Sequence, residues 1–345
     1  MTLLKILIAL LVFGFLILIH EFGHYLTARL FRVGIREFSI GMGPKLVSVP
    51  SQKTGIAYSL RALPIGGYVS MVGEDEESDR DDAFGKKPIW QRFIILIAGS
   101  VMNLLLGVIL TCGLVVSSGH LYSTTVTGFA EGATSAVSGL REGDTVVAIG
   151  KTKVSTLYDM SYVILRSGTG PIDVTVRRNG QRVVIRGVTF PTTTEEGITF
   201  GLRDFTVNEE EKTLGAVVRH SIVRSVTSVR MIWESLFDLV TGKYGIAQMS
   251  GPVGITKEIG DAAVSGDGGT SLFTLTALIA LNLGVVNLLP FPALDGGRVV
   301  FLLIEAVRGK PMKKETEGYI HFAGMALLLL LMLIVTFSDV SKLIR

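Results

Sequence analysis

The sequence has one cysteine in 345 residues, five histidines and two tryptophans. A single thiol, Cys112, excludes an internal disulfide and any metal site built on cysteines, and leaves it a packing or lipid-facing role. Charge is scarce too: Asp, Glu, Lys and Arg make up 18% of the chain, and 33 bases against 30 acids leave a formal net charge of +3. So small a surplus carries no electrostatic footprint for nucleic acid, and none is expected as a partner. Charge vanishes altogether from residues 6–19, and residues 93–116, 272–294 and 322–337 are as bare.

What fills these stretches is hydrocarbon. Hydrophobic residues are 48% of the chain and the mean hydropathy is +0.51. Each apolar block approaches the roughly 20 residues an α-helix needs to cross a bilayer, so four membrane segments are expected. Lys5 before the first block is also how a secretion signal begins, but no small-residue cleavage site follows. Arg29, Arg32, Arg36, Lys45, Lys86, Lys87 and Arg92 flank the loop between blocks one and two, and Arg308, Lys310, Lys313 and Lys314 the loop between blocks three and four. Positive charge marks the cytosolic side, which places both termini and the long segment 118–270 outside.

The expected architecture is a polytopic α-helical membrane protein with four transmembrane helices, in segments 1–30, 92–117, 271–307 and 321–338. A cytosolic loop, 31–91, holds "GIAYSLRALPIGGYVSMVG", whose alternation broken by Pro64 and Gly66-Gly67 reads as β-hairpins. The run "EDEESDRDD" after it reads as a solvated linker. Segment 118–206 has short β-rich runs, Gly-Asp and Asn-Gly turns and a helical stretch at 154–167: an extracytoplasmic α+β domain of about 85 residues, large enough to fold alone. In the connector 207–270, Val218, Ile222, Val226, Val229, Ile232 and Leu236 recur at helical spacing against Arg219, Arg224 and Arg230. That pattern fits an amphipathic helix on the outer leaflet or against the bundle, and equally a simple linker helix. A short cytosolic loop, 308–320, and a tail, 339–345, complete the chain.

Directly after the first charge-free run comes His20-Glu21-Phe22-Gly23-His24. Four residues apart on a helix, the two histidines project from one face and can bind one metal ion, while Glu21 can take the proton of an attacking water. That is the division of labour of a zinc peptidase. The bland reading is two incidental histidines at a membrane boundary; the cost of ionisable groups near hydrocarbon weighs against it. Catalytic zinc usually takes a third protein ligand. His120, His220 and His321 lie outside the apolar cores and Glu305 sits at a helix end, which leaves Asp295 in "NLGVVNLLPFPALDGGRVV" as the strongest candidate. Pro290 and Pro292 interrupt helical bonding before it and Gly296-Gly297 follow it, a combination that builds a polar pocket at membrane depth. His20 lies some 14 residues into its span, about 21 Å at 1.5 Å per residue, and so meets Asp295 toward the cytosolic side. Asn103 and Asn287, also within spans, suit either helix pairing or a hydrogen bond to substrate backbone or a developing oxyanion.

"HEFGH", "LPIGGYV", "AGSVMN", "GPVGI" and "NLLPFPALDGGR", in this order and spread over almost the whole chain, resemble the site-2 proteases, and among them the bacterial regulator-of-sigma-E type. "GLREGDTVVAIG" is similar to a PDZ domain of the kind these proteases carry. The resemblance implies Zn2+ as cofactor, His20, His24 and Asp295 as its ligands and Glu21 as catalytic base. It implies a bacterial plasma-membrane endopeptidase whose substrates are single-span proteins, anti-sigma factors or remnant signal peptides, already trimmed by another protease. Ser100 stands where many members have proline, and only one PDZ-like segment is present where the well-known proteobacterial type has two. An unwound substrate is expected to add as a strand to an exposed edge of the cytosolic hairpin formed by "GIAYSL" and "GYVSM", with Ile56 and Tyr58 as the residues that receive it. Two other classes compete. A membrane-anchored PDZ scaffold with a structural metal has no use for Glu21, and a metal transporter would spread its polar residues along a track rather than at one depth.

Overall fold

The computed structural model describes residues 3–344 apart from Asp75, Glu196, Tyr244, Ile246 and Ala247, and only the backbone of Pro64, Ile65, Leu343 and Ile344. In chain order the elements are α1 (Leu3–Leu30), β1 (Ile35–Pro50), β2 (Ala57–Met71), a 3-10 turn (Phe84–Lys86), α2 (Ile89–Ser117), β3 (Leu121–Phe129), α3 (Thr134–Val137), β4 (Thr145–Ile149), β5 (Thr152–Lys153) and α4 (Leu157–Ser167). There follow β6 (Ile172–Arg178), β7 (Gln181–Val188), β8 (Thr192–Glu195), β9 (Ile198–Gly201), β10 (Phe205–Glu210), α5 (Leu214–Val240), α6 (Pro252–Ala263), α7 (Thr270–Asn287), α8 (Asp295–Arg308) and α9 (Lys314–Ile344). They divide into two compact units, residues 1–110 with 232–345, and residues 111–231.

In the first unit α1, α2, α7 and α9 are long and apolar enough to cross a membrane. Helix α1 runs without a break from the charge-free block through HEFGH to Leu30. The third segment is not one helix. Chain 288–294 leaves the helical path, because Pro290 and Pro292 offer no N–H to continue it. Ala293 takes a positive φ of 79°, and its N–H donates to His321 Nδ1 of α9 at 2.9 Å. Helix α8 restarts at Asp295, and the break folds back onto its first turn so closely that a Cβ at Gly296 would lie 2.2 Å from the Leu289 carbonyl oxygen. Asp339 of α9 accepts from the N–H groups of Gly251 (3.1 Å) and Gly254 (2.8 Å), satisfying the first turn of α6 in "GPVGI". Lys5 Nζ lies 2.5 Å from Asp261 Oδ1, tying α6 to the start of α1.

The sheet in segment 31–91 is larger than a simple hairpin. Both β1 and β2 bend, so Glu37, Phe38, Ser39 and Ile40 pair on one flank with Ser70, Val69, Tyr68 and Gly67, and on the other with Ala57, Tyr58, Ser59 and Leu60. Val47, Ser48, Val49 and Pro50 close the far flank of 57–60. The expectation of an open edge is therefore corrected for Ile56 and Tyr58, in the "GIAYSL" segment, but not for "GYVSM". Residues 57–60 are paired on both sides, Ile56 is buried, and the Tyr58 hydroxyl lies 2.8 Å from that of Tyr25. The unpaired edge beside the helices is Gly67–Met71, with which no further strand pairs among the described residues. The acidic run is also more than a linker. Glu74 pairs with Arg298 of α8 and Glu76 with Arg36 of β1, while the Asp82 carbonyl accepts from Gly34 N–H at 2.8 Å; Asp75 lies outside the described residues.

The second unit holds a sheet of order β10-β3-β4-β6-β7, with β5 paired to β4. Its core is Val126, Leu140, Val146, Ile149, Met160, Ile164, Val174 and Val176 with their neighbours. Helix α4 starts at a capping box, the Thr156 hydroxyl against Asp159, which fixes where the strand run gives way to helix. Asp144, fully buried, is satisfied by Arg178 Nε at 2.7 Å. Helix α5 is amphipathic with an inverted exposure. Leu214, Val218, Ile222, Val226, Trp233, Phe237 and Val240 face outward, whereas Ser221, Ser225, Thr227 and Ser228 are buried. Its start is held at the end of α2, where Lys212 Nζ donates to the Ser118 carbonyl at 2.7 Å and Ala216 packs on Val115.

Candidate metal centre

The structure brings His20, His24 and Asp295 together from the two ends of the chain. One donor atom from each lies within 4.8 Å of the others. His20 Nε2 is 3.1 Å and His24 Nε2 3.4 Å from Asp295 Oδ2, and the two Nε2 atoms are 3.3 Å apart. Both histidines are buried. Helix geometry does most of this placing. The four-residue spacing puts both imidazoles on one face of α1, and the backbone break before α8 delivers Asp295 at that helix's first position.

The donor set fits a divalent cation. His24 Nδ1 lies 2.7 Å from the Ile95 carbonyl oxygen and must carry the proton that it donates there, so Nε2 presents a lone pair. That lone pair faces a second imidazole nitrogen and a carboxylate oxygen. With His20 in the tautomer that leaves Nε2 unprotonated, three donor atoms converge on one point, and two imidazoles with one carboxylate suit zinc.

Helix α2 forms the wall behind the site through residues spaced four apart. The Ile95 carbonyl meets His24, Asn103 meets His20 (Nδ2 to Nδ1, 3.5 Å), and Gly99 lies between them. A Cβ at Gly99 would come within 2.4 Å of His24 Nε2 and 2.7 Å of His20 Nε2. Asn103 is fully buried and contacts a candidate ligand rather than a substrate path. Asn287, the last residue of α7, is half-buried, and its side chain makes no hydrogen bond to another described residue. Glu21 is half-buried, next to His20, and its carboxylate likewise has no hydrogen-bond partner among the described residues. Strand β2 passes beside it, so that a Cβ at Gly67 would lie 3.5 Å from Glu21 Cγ.

Sequence reasoning missed the supporting residues. Ile95 acts through its carbonyl, which no side-chain pattern reveals. Gly99 and Asn103 were legible as a spacing of four that matches His20 and His24. Glu305, set aside as a ligand, forms a partly buried pair with Arg92 (2.5 and 3.0 Å), and Arg298 pairs with Glu74. Asp295, Arg298, Leu302 and Glu305 recur along one face of α8, so the helix that presents the aspartate is anchored at both later turns.

Two imidazoles and an untied glutamate on α1, a helix of membrane-spanning length, with a carboxylate brought to them by the shorter α8, have the make-up of a membrane zinc metallopeptidase. Residues 8–331 match the model of peptidase family M50, and the chain belongs to that family, the site-2 type of zinc metalloendopeptidase. It is 38% identical to the Clostridium acetobutylicum protein CA_C1796 over 99% of this chain and 98% of the relative. Zinc metalloprotease RasP of Geobacillus kaustophilus is 32% identical, covering 99% of both chains. Regulator of sigma-W protease RasP of Bacillus subtilis is 30% identical over 96% of this chain and 97% of its own.

Proposed function

We propose that this chain cleaves the membrane-spanning segment of single-span proteins, with His20, His24 and Asp295 holding Zn2+ and Glu21 as the catalytic base. The observation that carries the reading is the untied Glu21 carboxylate, between the three converging donors and the open Gly67–Met71 edge. Bound zinc supplies a Lewis acid that polarises a peptide carbonyl and makes water more acidic. Glu21 takes the proton of the attacking water and returns it to the departing amide nitrogen, which balances the hydrolysis. A substrate helix hides its carbonyls in its own hydrogen bonds and has to unwind before attack. The unwound stretch pairs as an added strand with Gly67–Met71, which brings its carbonyls past Glu21. Asn287 donates from its amide to that backbone or to the developing oxyanion.

The substrates are anti-sigma factors or remnant signal peptides, shortened beforehand by another protease; the name of the Bacillus subtilis relative, a regulator of sigma-W, supports a regulatory target. The topology follows the positive charges: plasma membrane, both termini and segment 118–206 extracytoplasmic. That segment is a PDZ-like domain that filters substrates by size or reads their new C-termini. The outward apolar stripe of α5 rests in the outer leaflet.

Glu21→Gln tests the central assignment. The variant retains zinc and loses cleavage of a model single-span substrate in proteoliposomes by about 10²–10⁴-fold, the usual contribution of a general base. Retained cleavage rejects Glu21 as the base.

A further inference from the structure

Asn103 presents a contradiction in hydrogen bonding. It is fully buried, its Oδ1 has no partner, and its Nδ2 lies 3.5 Å from His20 Nδ1. If His20 binds zinc through Nε2, its Nδ1 carries the proton and is a donor. The amide NH2 then faces an N–H, donor against donor, while the acceptor oxygen stands idle in a dry interior.

The oxygen and nitrogen of an amide exchange places by a half-turn of the side chain, a choice settled by the surrounding hydrogen bonds. We infer that in the zinc-bound protein the Asn103 Oδ1 accepts from His20 Nδ1–H, making Asn103 a positioning residue for the metal site. This rests on His20 being a ligand. The turn gives the orphaned oxygen a partner and fixes the tautomer in which Nε2 presents its lone pair. It also makes the two histidines equivalent: each donates Nδ1–H to an oxygen on α2, His24 to the Ile95 carbonyl at 2.7 Å and His20 to the Asn103 amide two turns on. The orientation with NH2 toward Nδ1 fits the other tautomer, with His20 donating from Nε2 to the lone pair of His24 Nε2 at 3.3 Å. Asn103 therefore turns when the metal enters. Outer partners of metal-binding imidazoles of this kind are worth about 10–100-fold in affinity.

The experiment uses full-length protein in detergent, loaded with Co2+. Metal loss to excess chelator is followed by the visible Co2+ band for wild type, N103L, N103D and H20A, and folding is checked by thermal unfolding. Leucine matches asparagine in size and has no acceptor; aspartate keeps the acceptor and lacks the donor. The expected result is loss about 10–100 times faster from N103L than from wild type, with N103D no faster than wild type. Wild-type retention in N103L, with rapid loss from H20A, overturns the role of Asn103 and leaves the ligand assignment standing. Wild-type retention in H20A overturns both. Should N103L fail to fold, N103D decides alone: an accepting Asn103 gives retention, whereas loss at least tenfold faster shows that the NH2 group was the partner and rejects the inference.

Discussion

Gly99→Ala is the sharpest test of how α2 supports the metal site. The added methyl meets His24 Nε2 at 2.4 Å and His20 Nε2 at 2.7 Å, where ordinary contact begins at 3.4 Å. Relief demands about 1 Å of movement by the helix or by both rings. A rearrangement of about 1 Å at reacting groups costs about 10²-fold in rate. In a helix interior free of such contacts the same change stabilises by about 1 kcal/mol, so the generic expectation has the opposite sign. Zinc per protein after dialysis against a weak chelator should fall at least tenfold, with cleavage in proteoliposomes down about a hundredfold. Thermal unfolding of the apo protein should move little. Wild-type zinc content and activity in G99A would refute the close packing of α2 against the two imidazoles.

Glu305→Gln breaks the partly buried pair with Arg92 and should cost about 1.5–3 kcal/mol in denaturant titration, whereas removing both charges with Leu at 92 and 305 should be milder; equal losses would argue against the pairing. Burial pushes the Glu37 carboxyl up, but hydrogen bonds from Lys45, Ser59, Tyr68 and Arg61 outweigh it and hold it at about 2. The stability this provides is complete above the ordinary value of 4.5 and is lost as pH falls through about 2, so the melting curves of wild type and Glu37→Gln converge on acidification; a gap that stays constant between pH 6 and 3 contradicts the network. Asp339→Ala frees the N–H groups of Gly251 and Gly254 and should cost about 1.5–3 kcal/mol, read as easier hydrogen exchange in α6.

The parts of this molecule that could be read from residues alone are those written by local spacing. His20 and His24 announce themselves at i, i+4, and the four apolar helices by length. Asp295 was reachable only because proline and glycine mark a broken backbone at matching depth. The error over Ile56 and Tyr58 has a physical origin: β1 bends at Gly41 and Gly43, so that its second arm, 47–50, closes the far flank of 57–60, and which flank stays open is a property of the assembled sheet. The ties of Glu74 and Glu76 were hidden for a similar reason, since their partners Arg298 and Arg36 are distant in sequence. In α5 the stripe was legible, but not which side of it faces out, because serine and threonine pack inward against the domain.

That the third donor comes from α8 also sets an order of events during synthesis. His20, Glu21, His24, Ile95, Gly99 and Asn103 all emerge before residue 110, and Asp295 follows about 190 residues later, a delay of about 10–40 s at ~5–20 residues per second. Throughout that interval the nascent chain holds Glu21 and two imidazoles without the carboxylate proposed to complete the metal's protein shell. On the proposed function, a hydrolase that acts on membrane helices is in this way kept inert while its own helices are still being inserted, and the last quarter of the chain arms it.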